Sequence, residues 1–238
     1  MRNLKVLCLI VVMSFFTVSC SSMVKGIIKK TGISNEIYIH PEAKVGDFLV
    51  LKTYGSVGSQ ESYYFVKEIN KDSYIIDLVS PYSNFQTELK KVPNGGFAKI
   101  TKAYWVNDDG TKEDIKIAIR GEQLYTDYKK INQEKVPFKV ETKNGEKTFE
   151  CDVYDSFQEM EIMGQKLYFH QIQYINPDVK FGVVHWFTID TEPIKDIHTG
   201  PFKNMEEMQM VIDAIKKTGT EKKYIKPAFH YFEEGNKL

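Results

Sequence analysis

The chain has 238 residues, with 32 Lys and Arg against 32 Asp and Glu, 42% hydrophobic and 27% charged residues. Such a composition is that of an ordinary globular protein and excludes wholesale disorder, a coiled coil and a small disulfide-stapled scaffold. A formal charge of zero argues against a nucleic-acid binder, which needs a basic surface.

The first segment carries an address rather than a fold. Arg2 and Lys5 precede an uncharged apolar run, Val6 to Val18. That run has the length of a signal-peptide core and falls short of the about 20 residues a membrane-spanning helix needs. It ends Thr17-Val18-Ser19-Cys20. This tetrapeptide resembles the lipobox of bacterial lipoproteins, in which small or apolar residues precede an invariant Cys. Val18, Ser19 and Cys20 follow the pattern, and Thr17 stands where Leu is usual.

The resemblance implies a signal peptide over 1–19, diacylglyceryl attachment to the Cys20 sulfur and a palmitate-type lipid anchor. The membrane, reached through that anchor, is then the first partner. In some bacteria an Asp after the Cys retains a lipoprotein in the inner membrane; Ser21 here favours the outer membrane, on its periplasmic face or at the cell surface. Residues 20–41 read as a lipidated tether, with Met23, Val24, Ile27 and Ile28 on one side of a short helical turn. With Cys8 removed and Cys20 acylated, Cys151 is the one thiol left, and no internal disulfide can form. Arg120 is the only arginine after Arg2, so the bidentate forks that favour phosphate chemistry are nearly absent.

From residue 42 to 238 the pattern is a single β-rich domain. Apolar residues recur with period two and turn residues follow at short intervals. Strands are expected over Asp47–Tyr54, Ser62–Ile69, Tyr74–Val79, Phe85–Val92, Lys99–Val106 and Lys112–Arg120. A two-residue turn at Asn144-Gly145 would face Val140 with Phe149, Phe138 with Cys151 and Val136 with Val153, placing Cys151 in the core. Lys166–Ile175 and Phe181–Ile189 follow as strands, and Tyr224 to Leu238 adds a further strand. One helix is expected: Asn204 caps it, Glu207 completes a capping-box spacing, and Met205, Met208, Val211, Ile212 and Ile215 form one apolar stripe. Lys216, Lys217 and Gly219 suit its end. The fold class is α+β, mostly antiparallel β, as a curved sheet or open barrel with one C-terminal amphipathic helix. The segments Thr148 to Cys151 and Tyr174 to Val184 resemble part of secreted bacterial half-barrel proteins, a likeness too short to carry a function.

No nucleophile elbow, phosphate-binding loop, dinucleotide fingerprint or HExxH spacing is present. His170 and His185 lie on neighbouring expected strands. A reversal near Pro177-Asp178 would set them opposite each other, where two imidazoles could hold a metal. The acidic turn Asn107-Asp108-Asp109-Gly110 lacks the alternating ligands of a calcium loop. The chain has 14 Tyr, 15 Phe and 2 Trp. Tyr63, Phe65, Trp105 and Trp186 are the aromatics that could line an apolar cavity in a curved sheet. The expectation is a non-enzymatic envelope binding module that needs no cofactor and recognises a protein or an apolar ligand, not nucleic acid. An envelope hydrolase or metal enzyme using His170 and His185, and a structural or assembly subunit, are the alternatives.

Overall fold

The computed structural model describes residues 25–26, 33, 36–55, 58–117, 124–125, 127–162, 165–191, 194, 198, 200–219, 225–227 and 231–237. Cys20 and the apolar run before it lie outside the described residues, as do parts of the expected tether and of the expected Lys112–Arg120 strand.

The strands run in chain order as follows. β1 is Glu36–Ile39, β2 Asp47–Gly55, β3 Gly58–Ile69, β4 Ser73–Ser80 and β5 Ser83–Lys90. β6 is Gly96–Val106, β7 Lys112–Asp114, β8 Leu124–Tyr125, β9 Lys129–Lys130 and β10 Val136–Thr142. β11 is Gly145–Ile162, β12 Gln165–Ile175 and β13 Val183–Asp190. The helix α1, Met205–Lys217, comes next, followed by β14 (Ile225–Pro227) and β15 (Tyr231–Asn236). They form one sheet in the order β1-β6-β5-β4-β3-β2-β15-β10-β11-β12-β13-β14, with β7 on β6 and both β8 and β9 on β11. Its described pairings are antiparallel except β10 with β15. The protein is mostly antiparallel strand with one helix, and the sheet is curled into a half-barrel.

Curvature has a visible cause. Extra residues interrupt the ladders at Val66/Glu68 between β3 and β4, at Glu88/Leu89 between β5 and β6, and at Tyr174/Ile175 between β12 and β13. Each irregularity adds local right-handed twist and bends the strand that carries it. The sheet therefore wraps around its concave side, where Ile39, Leu49, Ile76, Leu89, Ala98, Cys151 and Phe181 are almost wholly buried. A second core lies where α1 covers β11, β12 and β13. Val153, Ile172, Phe187 and Ile189 meet Phe202, Met208, Val211 and Ile215 there.

The helix forms as its sequence dictates. Asn204 accepts the Glu207 backbone N–H at 2.9 Å. The Glu207 carboxylate reaches back to the N–H of Lys203 at 2.7 Å, one residue before the cap. Burying Met208, Val211 and Ile215 contributes roughly 1.5–3 kcal/mol for each side chain.

Three local expectations are corrected. Glu36–Ile39, read as tether, is an edge strand on β6 with Ile37 and Ile39 buried. In the β10–β11 hairpin, Thr142 pairs with Gly145, Phe138 with Phe149 and Val136 with Cys151. Gly145 supplies its left-handed backbone (φ 99°) as the residue that closes the loop, so Lys143-Asn144 make the turn. Partners shift by two residues, which keeps every side chain on its expected face. Finally, β11 runs on through Ile162, well beyond the stretch legible as a strand.

Candidate functional site

The open side of the half-barrel holds a half-open cleft of about 190 Å³. Its walls come from opposite ends of the sheet: Glu36, Ile37 and Tyr38 on β1, Tyr64 on β3, Leu78 on β4 and Phe85 on β5 face Gln171, Gln173, Val183 and Trp186 on β12 and β13. Tyr128, just before β9, closes one end. Curling alone brings these residues together, since β1 and β12 stand far apart in the ladder.

Tyr38 is seated by a glycine. Gly182 has φ 70°, and a Cβ there would lie 2.2 Å from a ring carbon of Tyr38. The other side of the approach is Phe97, edge-on to Tyr38 at 5.5 Å between ring centroids. Burial, then the neighbouring Tyr154 and Asp152, hold the Tyr38 phenol above its ordinary pKa. Tyr64 sits deeper, against Phe181 at 5.6 Å, and burial pushes its phenol up to about 12.

Tyr128 organises the polar end. Its ring stacks on Phe97 at 4.6 Å and its backbone N–H donates to Glu36 Oε2 at 3.3 Å. Its hydroxyl donates to Gln171 Oε1 at 2.8 Å and accepts from Gln173 Nε2 at 2.7 Å. Gln171 and Gln173 are two apart on β12 and so share a face. With one end of each amide fixed on Tyr128, the Gln171 amide nitrogen and the Gln173 carbonyl oxygen have no protein partner among the described residues. Trp186 pairs across the ladder with Gln173, makes no ring–ring contact among the described residues, and has its indole N–H buried without an acceptor.

Of the four aromatics picked from the sequence, Trp186 alone lines the cleft. Trp105 is buried in the core, 5.3 Å behind Phe85 and perpendicular to it. Tyr63 lies on the outer face in an open groove with Glu61, Lys52 and Glu233. Phe65 shares the parity of Tyr63, paired with Phe48. The side chain that reaches the cleft from this segment is Tyr64, between them. That groove, about 440 Å³, and one of about 520 Å³ beside the β10–β11 turn are larger and as open as the cleft, and are lined mainly by charged and polar side chains.

His170 and His185 share a face but not a pair. His170 stands opposite Ile189, and His185 opposite Tyr174. The reversal is centred on Val179-Lys180 rather than Pro177-Asp178, because the loop 176–182 closes through Asn176 N–H to the Gly182 carbonyl at 2.8 Å. Four residues of strand, roughly 13 Å, therefore separate the two. His185 stacks on Phe138 at 4.4 Å. His170 is wholly buried under the loop before α1, with Nδ1 2.9 Å from Asp155 Oδ1. Asp155 Oδ2 accepts the Phe202 N–H at 2.8 Å. Phe202 stacks on His170 at 3.7 Å and on His198 at 4.9 Å. Burial, then the nearby His170, hold His198 below its ordinary pKa. This cluster clamps the loop before α1 onto the sheet. No group of three His, Cys, Asp or Glu among the described residues is placed to hold a metal ion.

Cys151 is fully buried, and burial pushes its thiol up to about 12, far from nucleophilic at neutral pH. The acidic turn is a closed hairpin end in which Asp109 Oδ1 accepts from the Thr111 N–H and hydroxyl. No helix among the described residues is long and apolar enough to cross a membrane. Comparison of the chain with protein families, curated proteins and solved structures finds no match in any of the three.

Proposed function

We propose that the chain is a bacterial envelope lipoprotein, anchored to the outer membrane through acylated Cys20, and that its β-rich domain is a non-enzymatic binding module whose ligand site is the half-barrel cleft. The observation that carries the binding reading is the amide pair Gln171 and Gln173, which line the cleft and which the Tyr128 hydroxyl fixes so that one polar atom of each stays open among the described residues. With Trp186 beside them, they follow the pattern of a few placed polar groups among aromatic walls.

The test uses the two indole N–H signals of the isotope-labelled protein, one from each tryptophan. A small-molecule extract of the host envelope is titrated in. The Trp186 signal is expected to shift while that of buried Trp105 stays, and Trp186→Phe, which keeps an aromatic ring, identifies the signal by its loss. An unmoved Trp186 signal at saturating extract would contradict the proposal.

A further inference from the structure

We infer that the cleft takes a single neutral sugar ring, a refinement that rests on the cleft being the ligand site. The first support is polarity. Gln171 offers an open donor and Gln173 an open acceptor, side by side and held still by Tyr128. A hydroxyl both donates and accepts, so adjacent hydroxyls on one ring match an amide pair of opposite polarity. The second support is charge. Among the described residues that line the cleft, Glu36 is the one charged side chain. The head group of a fatty acid or a phosphate would meet that like charge, whereas a neutral ligand would not.

The third support is size. At ~30 Å³ per water, about 190 Å³ holds six or so waters. That is about the room one hexose displaces in solution. Aromatic faces such as Tyr64 complete the match, because a pyranose presents C–H groups on its flat sides and hydroxyls around its rim. The amides then meet the rim.

The experiment titrates glucose, galactose, mannose and N-acetylglucosamine separately into the labelled full domain, reading the Trp186 indole and the Gln171 and Gln173 side-chain amide signals. At least one sugar is expected to shift all three groups saturably. Gln171→Ala should weaken that sugar about tenfold, the loss of one well-made hydrogen bond. Tyr63→Ala, on the outer face, should not weaken it. A chain of N-acetylglucosamine binding tighter than the monomer would point to a glycan polymer as the source, and equal affinity to a free sugar. If the envelope extract moves Trp186 but no sugar does, or if decanoate or tetramethylammonium moves it instead, the sugar assignment is overturned and the cleft remains the site. If neither extract nor sugar moves it, both readings fall.

Discussion

Gly182 shows how much of the cleft depends on single positions. Its φ of 70° is left-handed, and the space beside it is taken by the Tyr38 ring. Alanine there meets both obstacles, backbone strain and a collision at 2.2 Å. Each is worth about 1–3 kcal/mol. Gly182→Ala is therefore expected to lower stability in urea unfolding by more than about 2 kcal/mol and to move the Tyr38 ring signals. A change within about 0.5 kcal/mol would show that Tyr38 is not held as described. The same scale explains why the site was hard to read in the sequence. Tyr63, Tyr64 and Phe65 are three aromatics in a row, so their composition gives no parity. Only the pairing of Tyr64 with core residue Leu49 and with Leu78 fixes which one faces inward. Gln171 and Gln173 carry no signal at all, because glutamine on alternate positions is what a solvated strand face shows.

At the scale of elements, α1 and the loop before it are pinned to the sheet by apolar contact and by the His170 cluster. His198 faces His170 and Asp155 on the sheet side and Glu207 on α1, where His198 Nδ1 lies 3.6 Å from Glu207 Oε1. Because its folded pKa lies below the ordinary value near 6.5, the unfolded chain binds more protons in that window. Stability contributed by His198 is thus present above about pH 6.5 and is lost as pH falls toward the folded pKa. Urea midpoints measured from pH 7.5 to 5 should fall more steeply for the wild type than for His198→Gln. Equal slopes would remove His198 from this role. The helix was legible because cap, stripe and end agree with one another. The strands bounded by clear turns were legible for the same reason. The later half of β11 was not, since Asp155, Ser156 and Gln158 are polar yet buried. Asp155 is tolerated inside because His170 and the Phe202 N–H satisfy it, and those partners lie in later, separate segments.

The molecule as a whole is a curled sheet whose convex and concave sides do different work. Bulges bend it, α1 seals one part of it, and the open side keeps a small cavity with fixed polar groups. The half-barrel class was legible from period-two patterning with one amphipathic helix. The cleft was not, because it exists only where β1 and β12, far apart in the ladder, are brought face to face by curvature. The proposed placement of this module at a membrane surface depends on Cys20. Two or more acyl chains hold a protein stably where one does not.

The most direct measurement is the mass of the amino-terminal peptide from protein recovered from membranes of its native host. The expected chain begins at Cys20 and carries a thioether-linked diacylglyceryl group. A peptide that still contains Met1 to Ser19, with the Cys20 thiol free, would contradict it.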